Sequence, residues 1–477
     1  MKKYFSQKFL IIFFILLNIS TEEDNLRWAF ELFRHGARTP YSGMTPDFKD
    51  CFGHQWNGIK ELTGVGLRQH FLVGYRNRIR YTKENSLINP EYDPREVLLI
   101  STDSNRTIMS ANAQVQGLYI PGTGPKLSKD QADIAIPPVE KDIFDKEKEE
   151  LDKENYTALP HRMNIMPVHN FFVKEHFFQL ESQKNCPKAS SIYEKNHKRA
   201  EVLNFLNEMK EKYGKNLTKF LKNGDDENAL NNYTKAYYIF DTIITYYTEG
   251  LDEFDNIVEN LNVTQEELLN DSFKFFEYDL IGNGIDNDKE LCLHSMSPTF
   301  DRLLQWMNLK IEMDKTNPNY IGYDIPKFVM FSAHDSTCGA FMGFMKELFG
   351  TEIKYPNFAT NIYLELIRRQ NDKEDNYYVH YLINDDLIKE IEYKDFVKKI
   401  RDNQKSTEEI NKFCGFNDNE EEIKKGTNHV YLIVNIMLSA LSILLIISII
   451  LTIKKKKTEG SKLDVEKAEP LNQLNDE

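Results

Sequence analysis

The chain reads Trp28-Ala29-Phe30-Glu31-Leu32-Phe33 and then, with no spacer, Arg34-His35-Gly36-Ala37-Arg38-Thr39-Pro40. The first six residues are mostly apolar and aromatic, the pattern of a short strand, and the pattern stops abruptly at Arg34. A phosphate monoester carries nearly two negative charges over three oxygens, and guanidinium groups answer it with bidentate, charge-assisted hydrogen bonds. Arg34 and Arg38 flank His35 closely enough to hold a phosphoryl group against an imidazole. Gly36 lets the backbone turn sharply and approach a ligand. Histidine can act as a covalent nucleophile, dividing hydrolysis into transfer to nitrogen and then to water.

Outward from this stretch, Leu62 to Arg80 reads as a helix carrying Leu67, Phe71, Leu72 and Tyr75 on one face. Val97 to Ile100 is a buried-type strand running into Ser101-Thr102-Asp103, an N-cap cluster, and then a helix through Leu118. Lys327 to Ser332 is another apolar strand, followed by a helix over Ser336 to Leu348. Ile362 to Ile367 and Tyr377 to Ile383 read as late strands. Strand–loop–helix units at both ends of this region imply an α/β sheet sandwiched by helices. From 170 to 320 the chain turns charged, aromatic and helical in period, most clearly over Ala200 to Tyr213 and Asn228 to Tyr247. That stretch reads as an inserted helical cap. Gly122 to Glu154 reads as a long, charged surface excursion.

Three more segments follow in order: Ser101-Thr102-Asp103-Ser104-Asn105-Arg106-Thr107-Ile108-Met109-Ser110-Ala111, Pro167-Val168-His169, and Ser332-Ala333-His334-Asp335-Ser336-Thr337. With Arg34 to Pro40, which matches R-H-G-x-R-x-P at every fixed position, the chain resembles the histidine acid phosphatase family. This is the branch of the histidine phosphatase superfamily that includes lysosomal and prostatic acid phosphatases and phytases. The resemblance is dense over 27–120 and 325–385 and scattered in the cap. It implies a phosphoglycerate-mutase-like three-layer α/β sandwich with a helical cap insertion. It also implies roles: His35 as nucleophile, Arg34, Arg38, Arg106 and His334 gripping the phosphate, and Asp335 protonating the leaving alkoxide. An alcohol leaves poorly, so such an acid is worth roughly 10²–10⁴ in rate. A carboxyl beside a dianion resists ionisation, which keeps it protonated in acid. The plainer alternative is that Asp335 caps the helix starting at Ser336, and it could do both. Arginines supply the charge stabilisation that phosphoryl transfer needs, so neither metal nor cofactor is expected. Where relatives often carry an arginine just before S-T-D, this chain has Ile100.

The chain ends frame the rest. Lys2, Lys3 and Lys8 precede an apolar run, Phe9 to Leu17, followed by polar Asn18 to Thr21, the form of a signal peptide over 1–20. Val430 to Ile453 holds 24 residues without a charge and is closed by Lys454 to Lys457, the form of a membrane span with a cytoplasmic tail, 454–477. The expected topology is type I, with a lumenal or extracellular region over 21–429, on the secretory and endolysosomal route or at the cell surface. Sequons at Asn155, Asn216, Asn232, Asn262 and Asn270 agree with that route. A sixth, at Asn105, is expected to stay unmodified, because a glycan beside Arg106 would obstruct the cleft. Of five cysteines, the resemblance implies that Cys186 pairs with Cys414; pairing of Cys51 and Cys292 is not readable from spacing, and Cys338 is expected to be a buried thiol. The net charge of −14, with no basic stripe before the C-terminal region, argues against nucleic acid as a partner. Dimerisation is suggested by the resemblance alone. The function expected is a metal-independent acid phosphatase acting through phosphohistidine. The competing reading is a catalytically silent receptor or adhesion ectodomain, which need not retain all six of Arg34, His35, Arg38, Arg106, His334 and Asp335.

Overall fold

The computed structural model describes residues 24–415, apart from 42–44, 139–142, 171–185, 223–226, 282–287, 318–319, 321, 323 and 371–374. The segments read as leader, membrane span and tail lie outside the described residues. Among the described residues, no helix is long and apolar enough to cross a membrane.

Seven strands form one sheet: β1 (Asp24–Arg34), β2 (Val97–Ser101), β3 (His169–Asn170), β4 (Phe328–Ala333), β5 (Asn361–Gln370), β6 (Asp375–Ile383) and β7 (Asp386–Glu392). Their order is β3-β2-β4-β1-β5-β6-β7. Strands β3, β2, β4 and β1 run parallel, whereas β5, β6 and β7 continue antiparallel from β1. The parallel registers set Arg34 opposite Ala333 and Ser101 opposite Ser332. The residues just past those three strand ends, His35, Thr102 and His334, therefore leave the sheet side by side. Such a carboxyl edge is where open α/β sheets place ligands.

Six helices matter for the site: α1 (Gly64–Arg78), α2 (Asn105–Leu118), α3 (Tyr233–Glu249), α4 (Asp288–Thr316), α5 (Asp335–Phe349) and α6 (Tyr393–Asn403). Strand alternation divides β1 between two cores. Trp28, Phe30 and Leu32 meet Phe300, Phe341 and Phe344 from α4 and α5, with Phe396 of α6 beyond. Phe300 stacks on Phe341 and Phe344 at 4.8 and 4.1 Å. Ala29 and Phe33 pack with Ala111, Val115 and Leu118 of α2 on the opposite face. Helices thus cover both faces of the sheet. Each of these large apolar side chains contributes roughly 1.5–3 kcal/mol by leaving water.

The stripe of Leu67, Phe71, Leu72 and Tyr75 on α1 lies outward, each 37–57% exposed. The inward side is small and polar: Gly66, His70, Gly74, Asn77 and Arg78. Backbone contact is the reason. A Cβ at Gly74 would lie 1.9 Å from the Gln114 carbonyl oxygen, and one at Gly117 would lie 2.0 Å from that of Phe71. Helices α1 and α2 therefore pack closer than larger side chains would allow.

Within the stretch read as a cap, Val202, Phe205, Met209, Ile239, Phe240, Ile243, Leu268 and Phe275 build a further core, joined by Cys51 and Trp56 from outside the stretch. Helix α3 is central to it, capped by Asn232, whose Oδ1 accepts from Lys235 N, and closed by Gly250 at φ 66°. Helix α4 also lies in that stretch, yet its Leu293, Met296, Phe300 and Leu303 belong to the sheet core. The excursion after Gly122 carries two short surface helices, Lys129–Ile134 and Asp145–Lys153. Cys186 and Cys414 form a disulfide. Cys51, Cys292 and Cys338 are buried.

Candidate active site

The turn after β1 is built around Gly36. A Cβ there would meet the Gly66 carbonyl oxygen at 2.5 Å, so only glycine fits. Gly36 N donates to Ser110 Oγ at 3.1 Å, and His35 N donates to the Ala333 carbonyl at 2.9 Å. His35 is buried, and its Nδ1 lies 2.9 Å from the Gly36 carbonyl. A carbonyl only accepts, so Nδ1 bears the hydrogen and Nε2 keeps its lone pair. Burial first, then Arg106, Arg34 and Arg38, hold the His35 imidazole well below its ordinary 6.5. It therefore stays neutral, and able to attack, in acid.

Each arginine is held by different partners. Arg34 Nη1 donates to Tyr355 Oη at 2.9 Å and to the Pro356 carbonyl at 2.8 Å, while Nη2 meets Asp335 at 2.6 Å. Its guanidinium carbon lies 4.3 Å from the Phe358 ring centroid. Arg38 forks onto both oxygens of Asp241, at 2.8 and 3.1 Å. Arg106 donates to Ser104 Oγ at 2.9 Å and to His334 Nδ1 at 3.1 Å. Since Arg106 can only donate, His334 Nδ1 accepts, and the ring hydrogen sits on Nε2, facing Thr102 Oγ1 at 3.0 Å. Burial and Arg106 push the His334 imidazole down to about 3.

Burial works to raise the Asp335 carboxyl, but Arg34 and Arg38 outweigh it and hold the group below its ordinary 3.8. Asp335 also accepts from Ser336 N at 2.9 Å while it pairs with Arg34; it is the first residue of α5, whose N-cap is His334, with no side-chain capping bond. Three guanidiniums face two carboxylates, Asp335 and Asp241. The buried Nε atoms of Arg34, Arg38 and Arg106 have no hydrogen-bond partner among the described residues. A buried unmet donor costs about 1–3 kcal/mol, so the cluster is set to receive an anion. Among the described residues, no group of three or more acidic, histidine or cysteine side chains could hold a metal.

The family model described as histidine phosphatase superfamily (branch 2) matches residues 25–384. The chain belongs to this family. Curated relatives match over shorter stretches. Lysosomal acid phosphatase of Xenopus laevis is 37% identical over 107 residues, 22% of this chain and 23% of the relative. Prostatic acid phosphatase of Homo sapiens is 34% identical over 114 residues, 24% and 28% of the two chains. The matched stretch therefore spans about a quarter of these relatives. Among solved structures, the phytase from Citrobacter braakii aligns with TM-score 0.53 at 13% identity, covering 82% of this chain and 99% of the phytase. Hafnia alvei phytase in complex with tartrate aligns with TM-score 0.51 at 13% identity, covering 82% and 98%. Identities this low speak to the fold.

In this branch 2 chain, the six residues singled out in the sequence, Arg34, His35, Arg38, Arg106, His334 and Asp335, stand in one cluster. His169 does not join it; it pairs with Ile100 on β3, its side chain exposed. Asn105 donates its amide to Glu61 at 3.1 Å. Sequence reading missed Asp241, Tyr355 and Phe358. The signal for Asp241 was a carboxylate among Ile239, Phe240, Ile243 and Ile244 on an otherwise buried face of α3. Asp241 brings the helical insert onto Arg38, and its Oδ2 also accepts from Tyr41 N at 2.6 Å. Asp241→Ala is expected to lower stability by about 3–5 kcal/mol, because it strands a buried guanidinium. Denaturant midpoints of the two proteins check this, and equal midpoints would show the pair to be dispensable.

Proposed function

We propose that the protein is a metal-independent acid phosphatase that hydrolyses phosphate monoesters through a phosphohistidine on His35. The observation carrying this reading is the neutral His35, its Nε2 lone pair left free by the Nδ1 bond, among three arginines with unmet Nε donors. The incoming dianion takes up those donors and, in place of Thr102 Oγ1, the Nε2–H of His334. Arg34 then divides its charge between phosphate and Asp335, and the dianion itself raises the Asp335 carboxyl, which takes a proton in acid. His35 Nε2 attacks phosphorus as the ester oxygen leaves with that proton. Water then attacks the phosphohistidine, Asp335 accepts its proton, and the P–N bond breaks to restore the imidazole.

The leader over 1–20 and the span over 430–453 make the protein, in this reading, a type I membrane glycoprotein of the secretory and endolysosomal route or the cell surface. Asn155, Asn232, Asn262 and Asn270 are exposed, which suits glycosylation. The helical insert within 170–320 supports Arg38, since it supplies Asp241. A homodimer rests on family resemblance alone. The test is hydrolysis of an aryl phosphate by the full chain in detergent, with and without EDTA. Chelator-resistant turnover with an optimum below about pH 6 is expected. A folded, glycosylated protein inert towards a panel of monoesters would instead favour a silent binding ectodomain.

A further inference from the structure

Beneath the site, β1 carries a carboxylate on a face otherwise packed with Ala29 and Phe33. Glu31 is fully buried, as are His70 and Gln114. Its oxygens lie 2.7 Å from Gln114 Nε2, 2.8 Å from Asn77 Nδ2 and 3.2 Å from Tyr363 Oη. The Gln114 amide oxygen lies 3.0 Å from His70 Nδ1, and His70 Nε2 lies 3.1 Å from the Arg34 carbonyl oxygen. That carbonyl belongs to the peptide joining Arg34 to His35. A hydrogen-bonded line thus runs from Glu31 to the backbone of the nucleophile.

The Arg34 carbonyl only accepts, so His70 Nε2 must donate. If Gln114 presents its oxygen to His70, Nδ1 must donate too, giving an imidazolium linked through Gln114 to a carboxylate. Turning the amide over reverses both contacts: its N–H meets a bare Nδ1, and its oxygen needs a hydrogen from Glu31. Both patterns hold the same number of protons, one more than a carboxylate and a neutral imidazole. Without that proton, some contact of the line joins two acceptors.

We propose that Glu31, Gln114 and His70 are positioning residues that hold the Arg34–His35 peptide through one shared proton, whose loss unseats the nucleophile and sets the alkaline edge of activity. Burial favours the neutral pattern, with the proton on Glu31. It pushes the Glu31 carboxyl up to about 7, against the bonds from Gln114, Asn77 and Tyr363, and the His70 imidazole down to about 4. The other titratable groups facing Glu31 are the phenols of Tyr363 and Tyr81, both held neutral by burial. Beyond them, Arg80 is paired with Glu365. No cation touches Glu31 among the described residues.

The activity arm of the test rests on the phosphatase reading; the stability arm does not. Glu31 binds its proton more tightly when folded, so its stabilisation is full below its ordinary 4.5 and is lost as pH rises through about 7. The full chain in detergent and its Glu31→Gln variant would be compared by kcat/KM and melting temperature from roughly pH 4 to 9. The glutamine keeps a hydrogen facing Gln114 at every pH. Activity at the optimum should stay within about threefold, the alkaline limb should move up by about one pH unit, and the loss of melting temperature towards neutral pH should flatten. Coincident limbs and coincident melting profiles would overturn the proposal. Should Glu31→Gln fail to fold, Gln114→Leu cuts the same line: kcat should fall about tenfold with KM held, and an unchanged kcat would overturn the proposal. An inactive wild-type protein would end the phosphatase reading, and the melting profiles would still decide whether the proton is held.

Discussion

Replacing His35 with alanine is expected to lower kcat by roughly 10⁴-fold or more, because no other group can take the phosphoryl transfer onto itself. The neighbouring imidazole, His334, is no substitute. Its Nδ1 is occupied by Arg106 and its Nε2 by Thr102. The measurement is rapid quenching with phosphate-labelled substrate into alkali, where a P–N bond survives. Wild-type protein should retain covalent label and the variant none. Label persisting in the variant would place the nucleophile elsewhere. The fold should tolerate the change, and acid should favour it. His35 is buried with its basicity depressed below 6.5, so the unfolded chain takes up a proton that the folded chain refuses. That term erodes stability as pH falls below 6.5, and the alanine variant is free of it.

Asp335→Asn should separate substrates by their leaving groups. Alkyl phosphates, which need a proton on the departing oxygen, should slow by roughly 10²–10⁴-fold, whereas a nitrophenyl ester should lose far less. The asparagine also removes the carboxylate that pairs with Arg34 at 2.6 Å. Inorganic phosphate should therefore bind the variant at least as tightly, since Arg34 no longer divides its charge. Steady-state kinetics with both ester types and phosphate inhibition give the two readouts. An equal loss for both leaving groups would assign Asp335 to holding Arg34 and not to proton transfer. The free protein keeps this carboxyl ionised. In the proposed mechanism the general acid is thus created by substrate binding, which links the acid optimum to the occupied site.

How much of this lay in the sequence follows from the range of the interactions concerned. The strand breaking at Arg34-His35-Gly36, the Ser-Thr-Asp turn and the Ala-His-Asp turn are local features. Strand alternation and glycine's small size act within a few residues, so the α/β class and the grouping of Arg34, His35 and Arg38 were legible at that scale, whereas Arg106, His334 and Asp335 were implied by family resemblance. What tertiary structure decided depends on which surfaces meet. A helical period shows that Leu67, Phe71, Leu72 and Tyr75 share a face; the Gly74–Gly117 contact decides that this face turns to water. Periodicity also could not tell that α4, inside a stretch of cap-like composition, lies on the sheet. Asp241 reaches Arg38 across 203 residues, and Glu31 reaches the nucleophile only through Gln114 and His70 on two different helices. A buried charge or proton is tolerable only where partners converge on it. Sequence by itself determined the motifs at the strand ends, and only the packed chain decided which distant side chains steady them.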